Sequence, residues 1–393
     1  MRSSKIFLLS NFNSFKRELI VVILFFFVCL QNIDLISFGG SSLKLYHFFI
    51  TLVFLLGLYK FKGIPQKYGS IVFLFLVLYL KVFITSFIYG FNFLSFNYFF
   101  ISVIFFIFIT FFDNIDSIKV IRLLRVVVSV LLLYVFFNVL LNYDSVKLAQ
   151  AQNIMFGIRP LIPNMVFGGG LNLESTWIAM LTVFFIRSRF FILAIMVSAF
   201  IAASYMSRTG FLISAIVFLF WFYDTQRLKF TFIQFYIFLP VFTLLGCVAL
   251  YFILLWLDLP IIERFLIIGE EPGSNGRLDI LSYIGKALVD SYFMGYGPGN
   301  VMVTLAKYGL DSDNDNVHNY FIQLLLDFGF MGFLVYLYFA WTYLNSRVIP
   351  FEFKMFFFLY LVGSLVQFRG AEPVLWFIVF AGLATKNGVK TDA

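Results

Sequence analysis

Charge is what this sequence has least of. Only 12% of its 393 residues are Asp, Glu, Lys or Arg, about half the share of an ordinary soluble domain. His occurs twice and Cys twice. Cys29 and Cys247 both sit inside apolar runs, where a lone thiol behaves as a small buried hydrophobe, so no disulfide framework is expected. No paired His/Cys set points to a metal. What fills the chain instead is apolar: 62% hydrophobic residues, including 59 Phe, with a mean hydropathy of +0.97. No soluble core could hide that much Phe. A water-soluble enzyme is excluded, as is a disordered or collagen-like chain. The solvent for most of this sequence is lipid.

The net charge of +8 invites a nucleic-acid reading, but no basic patch is dense enough for one. In a membrane protein, excess Lys and Arg encode orientation. The stretch Met1 to Arg17 is basic and polar, and the apolar run behind it is long enough to span, so no cleaved signal peptide is expected. At about 20 apolar residues per span, the candidates lie near 18–37, 43–59, 70–89, 93–112, 122–142, 173–186, 190–206, 209–223, 230–256, 318–344, 351–368 and 373–385. The expectation is an all-α, polytopic integral membrane protein of twelve spans (ten or eleven if short segments re-enter), forming one membrane domain over 1–393.

Charge placement orients these spans. With the N-terminus inside, and with residues at span ends counted with the adjoining segment, eighteen of the 28 Lys and Arg fall on inner segments and nine on outer ones, with Lys81 alone deep inside a span. The excess follows the positive-inside rule at every inner loop. Both termini are therefore expected in the cytoplasm. Two outer connections are long: Tyr143 to about Asn172, and Asp258 to about Val317. Loops of that length without linker composition are usually functional. The second holds nine of the twenty carboxylates. Function is expected on the outer face.

Four outer-face residues carry possible chemistry. Arg208, in Ser207-Arg208-Thr209-Gly210, lies between two apolar runs. An arginine there either snorkels or faces an anion, and its planar fork suits a phosphate. Arg277, in Asn275-Gly276-Arg277, opens a stretch where Leu278, Leu281, Ile284 and Leu288 recur at helical spacing. With Asn275 as N-cap, Arg277 would stand in the first turn, unfavourable for the dipole unless an anion binds; the alternative is a solvated loop arginine. His318, in Val317-His318-Asn319-Tyr320, is either a base near neutral pH or an interfacial cap aided by Asn319. Glu174 opens a span in Asn172-Leu173-Glu174, as a dipole partner, a group that orients a hydroxyl, or a base. Glu372 and Arg369 read as a local ion pair, and His47 as structural.

Two patterns fail on inspection. Asp311-Ser312-Asp313-Asn314-Asp315 opens like an EF-hand loop, but Asn316 replaces the required Gly and Ile322 the closing Glu. Gly295-Tyr296-Gly297-Pro298-Gly299 lacks the Lys-Ser/Thr of a phosphate loop and reads as a tight turn.

The ordered set Ser207-Arg208-Thr209-Gly210, Asn275-Gly276-Arg277, Gly295-Tyr296-Gly297-Pro298-Gly299 and Val317-His318-Asn319 resembles the O-antigen polymerase and O-antigen ligase superfamily over about residues 170 to 345. The resemblance implies a C-type glycosyltransferase architecture in the bacterial inner membrane, with its active site facing the periplasm. The donor would be a glycan on undecaprenyl diphosphate, transferred with inversion and without cofactor or metal. Arg208 and Arg277 would hold the diphosphate, Arg159 and Asn319 would join them in binding the diphosphate or glycan, and His318 would help deprotonate the acceptor, Glu174 being the other candidate. Arg159 and Gly170 form an Arg-x10-Gly pattern similar to one associated with polymerases, and the Phe-, Ile- and Asn-heavy composition looks like a polysaccharide-cluster polymerase. Implied partners are membrane lipid, a chain-length regulator and a flippase, with no nucleic acid. A ligase acting on lipid A core, and a lipid-linked oligosaccharide flippase, are the alternatives. A transporter would show internal repeats and ionisable residues at mid-membrane; no repeat is evident, and the intramembrane set is Asp34, His47, Lys81 and Asp327.

Overall fold

A lipid-solvated backbone must satisfy its own hydrogen bonds, and helices do so within one segment. A computed structural model describes residues 17–38, 41–91, 94–156, 162–226, 272–308, 317, 319–368 and 370–386. These described residues are 76% helical with almost no strand. In chain order the helices are α1 (17–29), α2 (Leu45–Gly57), α3 (Gly69–Tyr89), α4 (Leu94–Phe111), α5 (Ser117–Leu141), α6 (Tyr143–Phe156), α7 (Leu171–Leu181), α8 (Phe191–Ser204) and α9 (Arg208–Gln226). After residues outside the description come α10 (Pro272–Asp290), α11 (Val301–Ala306), α12 (Tyr320–Asn345), α13 (Phe351–Gly363) and α14 (Pro373–Ala384). Segments Gln66–Tyr89, Ser117–Leu141 and Tyr320–Asn345 are long and apolar enough to cross a membrane, and five shorter helices are equally apolar in kind. The chain is an all-α polytopic membrane protein. Every expected span except 230–256, which lies outside the described residues, meets a helix.

There are two local departures. The first expected span, 18–37, stops as a helix at residue 29, and the chain turns into an antiparallel hairpin, Asp34–Phe38 with Ser41–Lys44. The β-branched Ile33 and Ile36 favour extension. Asp34, expected within a span, instead pairs with Lys44 across the hairpin at 2.7 Å, both side chains partly exposed. The second departure is α6, which occupies the start of the first long connection expected on the outer side.

The chain packs as two compact units, one from residues 1–127 and 275–393, the other from 128–274. In the first unit, connections expected on the inner side meet at one end. Arg17 donates to the carbonyls of Phe111 and Asp113, Lys67 pairs with Asp113 at 2.6 Å, and Lys386 donates its N–H to Ile115 O at 2.9 Å. Aromatic packing fills the interior, with Trp376 against Phe75, Phe339 and Phe380. His47 is structural here: its Nδ1 accepts the Lys44 N–H, and its ring lies against Tyr46 and Phe100. In the second unit, α7 packs on both α8 and α9.

Candidate functional site

In the second unit, the first turn of α7 meets the turn between α8 and α9. Ser207 caps α9: its Oγ accepts the Gly210 N–H at 3.1 Å. Arg208 is consequently the first residue of α9, partly buried. Gly210 is required by proximity, because a Cβ there would lie 2.6 Å from Ser175 Oγ. The Ser-Arg-Thr-Gly string thus encodes a cap, an arginine at a helix start and a close helix–helix approach.

Glu174 stands beside that contact, fully buried. Its Oε2 accepts the N–H groups of Val166 at 2.7 Å and Phe167 at 3.0 Å, and its Oε1 accepts from the Tyr205 hydroxyl at 3.1 Å. The carboxylate therefore fastens the 166–170 segment and the end of α8 to α7. Gly169 and Gly170 follow at positive φ, with Gly170 leading into α7. Arg159, the other end of the Arg-x10-Gly pattern, lies outside the described residues.

In the first unit, the described part of the 258–317 connection carries a small core of its own. The face of α10 formed by Ile280, Tyr283, Ile284, Ala287 and Leu288 packs with Tyr296, Val301, Leu305 and Val317; of the four residues expected on its apolar face, Ile284 and Leu288 take part, and the side chains of Leu278 and Leu281 lie outside the description. Its start is not where the sequence put it. The helix begins at Pro272, so Asn275 is no cap and Arg277 lies more than a turn inside. Proline at a first helical position loses no hydrogen bond and has its φ already set, which makes it the better start. Near the far end of α10, Tyr308 donates to Asp290 at 2.6 Å; that bond and partial burial push the phenol above its usual range.

The Gly-rich segment is more than a turn. α12 breaks at Gly329, whose φ of 71° is non-helical. The break frees carbonyls that the helix would otherwise use, and the loop supplies their donors: Tyr296 N–H reaches Leu326 O at 2.7 Å, and Gly297 N–H reaches Asp327 O at 2.8 Å. In return Phe330 N–H donates to Phe293 O at 3.0 Å. A Cβ on Gly295 would lie 2.5 Å from the Gly329 nitrogen. The two glycines are what allow loop and broken helix to touch.

The Val317-His318-Asn319 string sits at the head of α12. His318 itself lies outside the described residues, as does Arg369. Asn319 is the N-cap, its Oδ1 accepting the Ile322 N–H at 3.2 Å while its Nδ2 donates to Leu365 O at 3.1 Å. Val317 N–H donates to Gln323 Oε1 at 3.2 Å. Asp327 accepts from Gln323 Nε2 at 2.9 Å, whereas Lys81 reaches toward Met294, so the two make no pair. Sequence reading missed Gln323, Tyr205 and Gly329. Two glycines, Gly329 and Gly332, within a long apolar helix were the available signal for the break.

Arg208 and Glu174 thus belong to one unit, while Arg277 and Asn319 belong to the other. Among known families, residues 191–337 match the one described as O-antigen ligase. The match runs from the first turn of α8 into α12, taking in Arg208, Arg277, the Gly-rich segment and His318 with Asn319. It leaves out Arg159 and Glu174. No curated protein matches the chain.

Proposed function

From a chain of the O-antigen polymerase and ligase superfamily, we propose an O-antigen polymerase that joins undecaprenyl-diphosphate-linked repeat units at the periplasmic face of the inner membrane. The observation that carries this is Arg208 at the first position of α9. A cation opposes the helix dipole there, and a bound anion reverses the sign of that effect while using the first-turn N–H groups. A diphosphate leaving group is such an anion. Arg277 is read as its second cationic donor.

The chemistry asked of the site is modest. An acceptor hydroxyl attacks the anomeric carbon while the bond from that carbon to the diphosphate oxygen breaks. The electron pair leaves with undecaprenyl diphosphate, the hydroxyl proton passes to His318, and the anomeric configuration inverts. Arginine forks supply stabilisation where negative charge grows. Glu174, with both oxygens already engaged, is read as holding the loop before α7 rather than as the base. The same segment holds Gly170, and its Arg159 pattern favours polymerase over ligase.

The test is lipopolysaccharide profiling of a deletion strain complemented with wild type or Arg208→Ala. Core bearing a single repeat, with the ladder lost, is expected for both the deletion and the variant. Core with no repeat, while lipid-linked polymer accumulates, means a ligase. Unpolymerised donor trapped on the cytoplasmic leaflet means a flippase. A normal ladder with Arg208→Ala removes the diphosphate role.

A further inference from the structure

Gln323 lies in the first turn of α12 and is buried, as is Asp327 one turn later. The two side chains form a directed chain: Asp327 Oδ1 accepts from the Gln323 amide nitrogen, and the Gln323 amide oxygen accepts the Val317 N–H. A carboxylate oxygen accepts, whereas an amide can turn either end toward a partner. Asp327 and the Val317 N–H, which can only donate, therefore agree on which way the Gln323 amide faces, and in that orientation its oxygen serves Val317. The main chain of Asp327 is held in turn, because its carbonyl takes the Gly297 N–H at the break beside Gly329. On the far side of His318, Asn319 is anchored to Ile322 and Leu365, and Tyr320 N–H donates to Ser364 O at 2.7 Å.

We infer that Gln323 and Asp327 are positioning residues that fix the backbone entering His318, and that the Gly-rich segment and the break in α12 hold this pair in place. The inference rests on the reading of His318 as the base. Reaction rates fall steeply when a reacting group is displaced by about an ångström, so a pair that touches no substrate can still govern turnover.

The experiment uses the full-length protein in lipid nanodiscs, with the lipid-linked repeat unit as substrate. It measures kcat, KM and hydrogen exchange at the Val317 amide. Gln323→Leu is expected to lower kcat by at least about tenfold with a much smaller change in KM, since a displaced base loses part of its roughly hundredfold or greater contribution. Exchange at Val317 should speed up. Gln323→Glu alone sets two carboxylates face to face and should behave likewise. Adding Asp327→Asn to it reverses the chain's polarity: the new amide donates to the new carboxylate, which still accepts from Val317. That double variant should recover most of kcat and the slow exchange, which general damage to the fold would not do. Wild-type turnover with unchanged kcat in Gln323→Leu overturns the positioning role, as does a double variant no better than Gln323→Glu. Absence of turnover in the wild-type protein overturns the functional reading beneath it, whatever the exchange data show.

Discussion

At the scale of single residues, Glu174 shows how fully burial and bonding can engage a carboxylate. Three donors converge on it, two from consecutive backbone N–H groups and one from Tyr205. Glu174→Gln keeps an oxygen for the backbone donors, and its new N–H groups can face the tyrosine oxygen. Near wild-type ladder length and thermal stability are expected. Glu174→Leu strands those donors inside the protein, at roughly 1–3 kcal/mol each, so it should lower the melting temperature in detergent and the amount of inserted protein. If Glu174→Gln instead lost activity about a hundredfold or more at unchanged stability, a general base would be indicated. The fully buried position is also why sequence reading left three roles open for it: only the fold reveals that no oxygen faces outward.

At the scale of elements, the break in α12 organises the first unit's half of the motifs. A continuous helix would satisfy the carbonyls of Leu326 and Asp327 internally and leave the Gly-rich segment with nothing to bind. Gly329 makes the alternative affordable because positive φ carries little penalty without a Cβ. Gly329→Ala forces a side chain toward the carbonyls of Phe293 and Met294 and holds a non-glycine residue at positive φ, about 1–3 kcal/mol from the backbone alone. Lower thermal stability together with loss of polymer is expected. A stable, fully active Gly329→Ala protein would mean that the break is not needed. The helix α10 teaches the converse point about boundaries. Its apolar face was visible in the spacing of Ile284 and Leu288, but its start was not, because Asn275 and Pro272 compete as start signals and proline prevailed.

At the scale of the whole molecule, the uneven placement of Lys and Arg sets an expected orientation with both termini in the cytoplasm. Single cysteines introduced after Lys386 and in the 258–317 loop, in a background lacking Cys29 and Cys247, test it with an impermeant thiol reagent on intact spheroplasts. Labelling of the loop site alone is expected; labelling of the terminal site would invert the topology and move the reaction to the cytoplasmic face. The proposed reaction also implies that chelators leave polymerisation intact, since a lipid diphosphate is already a good leaving group. Activity lost to EDTA and restored by a divalent cation would overturn that.

Composition and periodicity by themselves determined that this chain lives in lipid and roughly where its helices run, while the roles of Arg208, Arg277 and His318 are proposals drawn from ordered motifs. The first two conclusions follow from local physics: apolar content and helical spacing. The tertiary structure alone decided that Asp34 leaves the span for a hairpin and that Glu174 is sealed. It also decided that a Gly-rich string donates to a broken helix and that Asp327 turns to Gln323 rather than Lys81. Each of those outcomes depends on which donor meets which acceptor across long sequence separations. A hydrogen bond is set by a few tenths of an ångström and by direction, and no one-dimensional pattern carries that information.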